Sequence, residues 1–329
     1  MKPFTYDRAA DLHAAVAAVA GSQDGVFLAG GTNLVDLMKL EVLTPGALID
    51  ISRVASREIA ELPDGGIQIG AGVRNSDLAA NPIIRRRYPL LAQAILSGAS
   101  AQLRNLATVG GNVLQRTRCG YFQDLTTPCN KRQPGSGCSA VGGFSRDAAI
   151  FGASEACVAT HPSDMAVALA ALGAVVQTTA PEGTRSVPLT ELHRLPGEQP
   201  DCDTVLAHGE LITHIDLPPL TFATNSRYWK VRDRASYAFA LVSVAAALDV
   251  VDGVVRDVRL ALGGVAHKPW RAARAEETLR GQRAVEDNFR AAAEAELAAA
   301  GPLPDTVFKV QLAINMITRV LVDVAGDGR

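Results

Sequence analysis

The stretch Leu28-Ala29-Gly30-Gly31-Thr32-Asn33-Leu34 follows a short apolar run and precedes a helical pattern, so it predicts a strand, a tight turn and a helix start. Glycine lets the backbone approach an anion closely, and free N–H groups in such a turn can bind phosphate oxygens. The stretch Thr108-Val109-Gly110-Gly111-Asn112-Val113 repeats this arrangement. A plain tight turn also explains either loop alone, but two such loops in one chain favour a phosphate-bearing cofactor.

Composition and motifs exclude several other classes of function. Neither loop has the G-x-G-x-x-G pattern of nicotinamide dinucleotide sites or the Lys-Ser/Thr pair of nucleoside triphosphate sites. The chain carries 32 Lys plus Arg against 34 Asp plus Glu, so it has no basic excess for a nucleic-acid surface. No apolar run reaches the ~20 residues that span a bilayer. The first residues lack a basic segment followed by an apolar one, so we expect no signal peptide on this chain.

Short strand patterns alternate with helical ones in the first part of the chain, which is typical of an α/β domain. Predicted helices cover residues 11–20, 75–97 with a break at Asn81-Pro82, 163–172, 274–300 and 305–324. Predicted strands cover residues 26–29, 47–51, 59–62, 67–71, 174–178, 227–232, 239–250 and 254–262, with a hairpin turn at Asp252-Gly253. A boundary near Pro218-Pro219 divides an α/β domain, residues 1–220, from a small antiparallel sheet with helices, residues 221–329, which makes the fold class α+β.

Four of the five cysteines, Cys119, Cys129, Cys138 and Cys157, lie in an irregular stretch rich in Gly, Pro and Ser at about residues 116–158. An odd cysteine count and the expected absence of a signal peptide argue against a disulfide framework. Their spacings of nine, eight and eighteen residues match neither structural zinc sites nor compact ferredoxins. Soft thiolate ligands in a loop with little apolar content still favour a metal centre that organises it. Ordinary cysteines are the alternative, and Cys202 lies outside the group.

The two glycine loops resemble those of the FAD domain in the xanthine dehydrogenase, aldehyde oxidase and carbon monoxide dehydrogenase families. That resemblance covers nearly the whole chain and implies a two-lobed α/β FAD-binding domain (PCMH-type) with a C-terminal domain of the CO dehydrogenase flavoprotein type. In these families the first loop wraps the FAD pyrophosphate and the second closes over it. The residues implied here are Leu28, Ala29, Gly30, Gly31, Thr32, Asn33, Leu34, Thr108, Gly111 and Asn112.

Three further positions follow from the same resemblance. An acid near the flavin corresponds to Asp164, a strand that passes the isoalloxazine corresponds to about Ile212, and a lysine that reaches toward the flavin corresponds to Lys230. Asp164 is alternatively a helix cap, and Lys230 a solvated strand residue. His161 is interpreted as a polar loop residue. His13, His193, His208 and His267 show no constellation with the cysteines or with each other.

The cysteine loop resembles an insertion in the periplasmic aldehyde oxidoreductase of enterobacterial type, which holds a [4Fe-4S] cluster. 4-Hydroxybenzoyl-CoA reductases also carry a cluster in this subunit, whereas most flavin subunits of the family do not. The resemblance implies that Cys119, Cys129, Cys138 and Cys157 ligate a [4Fe-4S] cluster. Nearby cations, such as Lys131 and Arg116, would then stabilise its reduced form or face a partner subunit.

By resemblance, this chain acts in a heterotrimer. A large subunit with molybdenum cofactor oxidises the substrate, an aldehyde in the closest families, and a small subunit with two [2Fe-2S] clusters passes electrons to FAD and on to an external acceptor. No residue of this chain is then catalytic in hydroxylation. The complex is expected in the periplasm, exported by a partner's signal, or otherwise in the cytoplasm. Alternatives are the flavin subunit of a xanthine- or hydroxybenzoyl-CoA-type hydroxylase, a stand-alone flavoenzyme, and an assembly protein with a structural cluster.

Overall fold

The computed structural model describes residues 1–327 and begins with a small parallel lobe. Its elements are β1 (Thr5–Arg8), α1 (Leu12–Ala20), β2 (Gly25–Leu28), α2 (Leu34–Lys39) and β3 (Ala47–Asp50). The strands form a three-stranded parallel sheet in the order β1-β3-β2. Helix α1 packs its apolar face, with Val16 and Val19, against Ile49 and Ile51 at the end of that sheet. This lobe therefore delivers the first glycine loop at the carboxyl end of β2.

The second lobe is built on a five-stranded antiparallel sheet in the order β4-β5-β8-β6-β7. Its strands are β4 (Ile59–Glu61), β5 (Ile67–Gly70), β6 (Val175–Ala180), β7 (Gly183–Pro188) and β8 (Leu211–Leu217). Its helices are α3 (Asn75–Ala80), α4 (Pro82–Arg87), α5 (Pro89–Ser97), α6 (Ala101–Arg104), α7 (Val109–Val113), α8 (Gly120–Gln123), α9 (Asp164–Leu172) and α10 (Leu189–Leu192). Every residue of α9 is buried, because this helix packs between the second lobe and the C-terminal sheet.

The C-terminal domain is a four-stranded antiparallel sheet, ordered β12-β11-β10-β9, covered by helices. Its strands are β9 (Ser226–Val231), β10 (Val242–Val251), β11 (Val254–Gly263) and β12 (Trp270–Arg271). Its helices are α11 (Ala273–Leu279), α12 (Glu286–Leu297) and α13 (Val307–Asp327), preceded by a 3₁₀ turn at Pro304–Thr306. The predicted α+β fold class is thus confirmed. No helix in the described part of the chain combines the length and apolar character needed to cross a membrane.

The single helix predicted for residues 274–300 is wrong, because it is two helices separated by residues 280–285. Gly281 there adopts a left-handed φ of 80°. Its N–H donates to the Val255 carbonyl, and the Val255 N–H donates to Gln282. The segment thus pairs with the β10–β11 hairpin, and this long-range backbone pairing overrides the local helical propensity of the alanine-rich sequence. By contrast, the Asn81-Pro82 break in the helical region of residues 75–97 is confirmed.

Candidate functional site

The first glycine loop connects β2 to α2 and offers a row of unpaired backbone donors. Gly31 adopts a left-handed φ of 69°, which only glycine adopts without strain. A Cβ atom on Gly30 would overlap the Leu106 carbonyl, which leads into the second loop. The backbone N–H groups of residues 30–34 donate to no other residue of the described chain. These half-buried, unpaired donors line a cleft, so the row is suited to binding an anion there.

The second glycine loop differs from the first, because its backbone donors are already used. The N–H groups of Val109 and Gly110 donate to the carbonyls of Val73 and Ala71, both at 2.9 Å. The Gly111 N–H donates to Thr108 Oγ1 at 3.3 Å. The two loops therefore have different roles although their sequences match. The second loop borders the site with its side chains and with Gly111, which has no Cβ. It does not offer a second row of free amides.

Two adjoining clefts lie between the lobes beside these loops. One, of about 350 Å³, is lined by Ala29, Gly30, Gly31, Thr32, Asn33, Leu34, Thr108, Gly111 and Ile212 among others. The next, of about 450 Å³, shares Thr32, Asn33 and Gly111 with the first and adds Asn112, Asp164 and Lys230. Both volumes lie within the range of cofactor sites. The structure thus brings together the residues implied for FAD, except Leu28, which lines neither cleft.

Asp164 and Lys230 form a buried ion pair in the wall of the larger cleft. Lys230 Nζ donates to Asp164 Oδ2 at 2.8 Å and to the Ser97 carbonyl at 3.2 Å. The Asp164 side chain is 7% exposed and the Lys230 side chain is 3% exposed. The helix cap at this place is Ser163, whose hydroxyl accepts the Ala166 N–H, so Asp164 is not explained as the cap. Lys230 is likewise not a solvated strand residue. A buried pair that lines a cleft can set the electrostatics of a bound ring.

Tyr228 completes this group, and no local sequence pattern indicates its role. Its hydroxyl donates to Asp164 Oδ1 at 2.5 Å. Burial and the adjacent Asp164 charge raise the pKa of Tyr228 well above its usual value, so the phenol remains a donor at neutral pH. Asp164 therefore accepts from a cation on one oxygen and from a neutral phenol on the other, which fixes its orientation at the cleft.

The four clustered cysteines surround one small enclosed cavity. Cys119, Cys129, Cys138 and Cys157 line it together with Tyr121, Phe122, Pro128, Asn130, Lys131, Ser139, Ala140, Ala156 and Ala159. All four are free thiols, whereas Cys202 is exposed elsewhere. Cys129 and Cys138 face each other across an isolated antiparallel bridge. Cysteines separated by up to 38 positions in the sequence therefore converge on one cavity. Ordinary cysteines in a loop would have no reason to do so.

The thiols interact closely enough to perturb one another. A hydrogen bond between Cys138 and Cys157 lowers the pKa of Cys138 to about 5 and raises that of Cys157. Burial raises the pKa of Cys119. Among the described residues, no three His, Cys, Asp or Glu side chains have the spacing of a single metal-ion site. Four free thiols that line one cavity are the type of donor that iron–sulfur clusters use.

Side-chain hydrogen bonds hold this irregular loop in place. Arg132 donates to the carbonyls of Tyr121 and Phe122 at 2.8 and 2.9 Å. Lys131, 3% exposed, pairs with Asp203 and donates to the Pro200 carbonyl at 2.6 Å. Arg116 also pairs with Asp203, at 2.6 Å. Asp203 thus balances only part of the positive charge that Lys131 and Arg116 bring beside the cysteines.

Three histidines, His161, His193 and His267, line one small cavity beside the cysteine loop, which corrects the expectation that His193 and His267 form no group with the cysteines or with each other. His161 and His193 are 4.3 Å apart between ring centroids, and the Nε2 atoms of both contact the Val113 carbonyl. His267 Nε2 lies 3.3 Å from Cys157 Sγ. Burial lowers the pKa of all three imidazoles, that of His267 to about 3, so they are neutral at pH 7. No local sequence pattern indicates such a cluster.

The cysteine loop is also joined directly to the first glycine loop. The Arg116 N–H donates to Asn33 Oδ1 at 3.0 Å, and Arg118 pairs with Asp36 of α2 at 3.0 Å. Arg118 immediately precedes Cys119 and lines the larger cleft. The Asn33 Nδ2 group is buried without a partner among the described residues. The first glycine loop and the cysteine loop are therefore held in place by the same contacts.

Two family models match this chain: the FAD binding domain in molybdopterin dehydrogenase over residues 2–220, and the CO dehydrogenase flavoprotein C-terminal domain over residues 227–324. The chain is 51% identical to the aldehyde oxidoreductase FAD-binding subunit PaoB of Escherichia coli K12, over 98% of each chain. It is 30% identical to the glyceraldehyde dehydrogenase medium chain of Sulfolobus acidocaldarius, over 86% of this chain and 83% of that one.

Solved structures agree with these sequence matches. The fold is similar to a chain of carbon monoxide dehydrogenase from Hydrogenophaga pseudoflava, with a TM-score of 0.76, 27% identity, and coverage of 97% of this chain and 96% of that one. Together with the glycine loops, the cleft between the lobes and the C-terminal sheet, the matches define the family. The chain belongs to the FAD-binding subunits of the xanthine dehydrogenase, or molybdenum hydroxylase, family, which are parts of oxidoreductase complexes.

Proposed function

We propose that this chain is the electron-transfer subunit of a molybdenum-dependent aldehyde oxidoreductase and that it binds FAD with the diphosphate on the first glycine loop. The observation that carries the proposal is the row of unpaired N–H groups at residues 30–34 beside an interlobe cleft. Gly30 and Gly31 allow this close approach, and Thr32 and Asn33 add polar side chains. Backbone amides bind phosphate oxygens without the desolvation cost of a dedicated cation.

Asp164 and Lys230 serve as electrostatic groups beside the isoalloxazine in this proposal. Bound FAD supplies the redox chemistry, taking up electrons and passing them on. The chain's own residues orient the cofactor and set the local field. Lys230 presents a cation that Asp164 partly balances at 2.8 Å, and Tyr228 keeps Asp164 in position. Neither residue transfers a proton to substrate, because substrate oxidation takes place on another subunit.

The cysteine cavity holds a [4Fe-4S] cluster in this proposal. Support comes from the convergence of Cys119, Cys129, Cys138 and Cys157 on one cavity and from the absence of disulfides among them. Metal binding supplies folding free energy to loops that lack an apolar core of their own. The cluster therefore organises residues 116–158, and its connection to the first glycine loop keeps it near the flavin.

Aldehyde as the substrate class and a heterotrimeric assembly rest on similarity to PaoB, named as an aldehyde oxidoreductase subunit, and to medium chains of related enzymes. We infer partners of two kinds: a large subunit with molybdenum cofactor and a small subunit with two [2Fe-2S] clusters that feeds electrons to FAD. An external acceptor takes them from FAD. We place the complex in the periplasm, and fractionation of cells that express it tests this location.

Cofactor quantification on the purified complex tests the proposal. We expect one FAD and eight iron atoms per heterotrimer, four in the two [2Fe-2S] clusters and four in this chain. Four irons with normal FAD would leave the flavin assignment intact and reject the cluster. Normal iron without FAD would favour an assembly protein. Aldehyde turnover by the isolated chain would favour a stand-alone flavoenzyme.

A further inference from the structure

His267 is the polar side chain that contacts a cysteine of the cavity from outside the cysteine loop. It lies in the connection between β11 and β12, whereas Cys157 lies at the end of the loop. The His267 Nε2 and Cys157 Sγ atoms are 3.3 Å apart, within hydrogen-bond distance for sulfur, and the residues are 9% and 5% exposed. The contact therefore spans the C-terminal domain and the cysteine loop in a region without solvent.

Backbone hydrogen bonds hold both partners of this contact. The His161 N–H donates to the Ala266 carbonyl at 2.9 Å, and the Ile150 and Phe151 N–H groups donate to Val265 at 2.8 and 3.0 Å. On the other side, the Ser154 N–H donates to the Cys157 carbonyl at 3.1 Å. Main-chain hydrogen bonds thus hold the backbone next to His267 and at Cys157, and the imidazole between them is buried.

The environment fixes the direction of the hydrogen bond. A ligating thiolate has no proton, so the imidazole is the donor. The His267 Nδ1 atom is buried and has no partner among the described residues. A proton on Nδ1 would leave a buried donor unpaired, which costs more than an unpaired acceptor lone pair, so the proton belongs on Nε2.

We propose that His267 donates its Nε2–H to the Cys157 thiolate and thereby raises the reduction potential of the iron–sulfur cluster. This inference rests on the proposed cluster and deepens it. One-electron reduction adds negative charge that is shared by the ligating sulfurs, and an N–H dipole aimed at one sulfur stabilises the reduced form more than the oxidised form. Lys131 also lines the cavity, and it shares the Asp203 carboxylate with Arg116. His267 is thus a positioning and tuning residue, not a ligand.

The test is an electron paramagnetic resonance redox titration of the purified complex, with dithionite as reductant. We expect His267→Phe to decrease the equilibrium constant for cluster reduction about tenfold, which corresponds to about 59 mV for one electron. His267→Gln keeps an N–H donor and should lie closer to the wild type. His208→Gln is the matched control, because His208 contacts the Val19 and Ser22 carbonyls and no cysteine. A His267→Phe complex with full iron and an unchanged potential would overturn the inference.

A second measurement does not depend on whether the His267→Phe variant folds. In wild-type complex labelled with ¹⁵N-histidine, electron–nuclear double resonance of the reduced cluster should detect a histidine nitrogen coupling that disappears in His267→Gln. Absence of that coupling in the wild type, with the cluster present, would equally reject the hydrogen bond. Absence of the cluster from wild-type protein would overturn the proposed cluster and this inference together, whereas a normal cluster without the coupling would overturn this inference alone, so the two failures are distinguishable.

Discussion

The glycine-loop cleft and the cysteine loop lie side by side, but they are organised by different forces. The cleft is formed where strands of two sheets end, and Gly30 fits against the Leu106 carbonyl without any ligand. The cysteine loop contains one short helix, and arginine side chains, the Lys131–Asp203 pair and four thiols hold it together. The comparison teaches that the fold itself makes the cleft, whereas the cysteine loop depends on side-chain contacts, and the proposed cluster would complete the structure of that loop.

The largest effect is expected from Cys129→Ser, because this thiol is buried and borders the cavity. Loss of one of four ligands should remove the cluster and lower the yield of assembled complex, with the loop as the first region to lose protection. Iron analysis and hydrogen exchange measure both. Cys202→Ser is the control, because Cys202 is exposed and lies outside the cavity. Four irons retained in this chain of the Cys129→Ser variant would reject the ligand assignment.

The next largest effect is expected from a substitution of Gly30, which should change the shape of the cleft. Gly30→Ala forces a Cβ atom into the Leu106 carbonyl and must move one loop away from the other. We expect the FAD dissociation constant to rise more than about tenfold, or about 1.4 kcal/mol, with the cluster retained. Flavin titration of deflavinated complex measures this. Gly301→Ala serves as control, since no atom lies near its added Cβ. Unchanged FAD affinity would show that the first loop does not hold the cofactor.

Asp164→Asn is expected to change the cofactor less than Gly30→Ala does, although it costs more stability. This substitution leaves the Lys230 cation buried without its carboxylate partner, which costs on the order of 3–5 kcal/mol of stability when a buried pair is broken. It also leaves a net positive charge beside the flavin, so we expect the FAD potential to rise. Potentiometry of the flavin and thermal unfolding measure the two effects separately. Equal flavin potentials in variant and wild type would remove Asp164 and Lys230 from the flavin environment.

The smallest effect concerns Glu210, which lines the smaller cleft and pairs with Arg185. Hydrogen bonds from Arg185, Thr178 and the Ala207 N–H overcome the effect of burial and lower the pKa of Glu210 from 4.5 to about 2. Because the folded pKa is lowered, the stabilisation is complete above pH 4.5 and is lost as pH falls toward 2. The Tm difference between wild type and Glu210→Gln should therefore shrink from pH 6 to pH 3. The exposed Glu182→Gln variant should show no such trend.

Sequence reasoning reached the features that depend on local chemistry. The strand–diglycine–helix arrangement at Leu28–Leu34 and the Asp252-Gly253 hairpin follow from turn residues next to apolar runs, and both are present. It also identified Asp164 and Lys230, although only through resemblance. Their direct ion pair depends on α9 and β9 meeting in space, and no spacing in the sequence indicates that.

The features that escaped prediction are long-range contacts of single residues. Tyr228 and His267 have no neighbouring pattern, because each meets its partner across two domains. The two glycine loops have matching sequences, yet only the first keeps its amides free. In the second loop, the N–H groups of Val109 and Gly110 donate to the carbonyls of Val73 and Ala71, which belong to the turn after β5. Local similarity therefore predicted two alike sites where tertiary pairing made one.

The central claim is that the unpaired amides of residues 30–34 bind the diphosphate of FAD. A crystal or cryo-electron microscopy structure of the FAD-loaded complex tests it most directly. We predict diphosphate oxygens within about 2.7–3.2 Å of backbone nitrogens in residues 30–34, with Val109 and Gly110 still bonded to the β5 turn. A structure in which those nitrogens contact only solvent, while the dinucleotide lies elsewhere in the complex, would contradict the account.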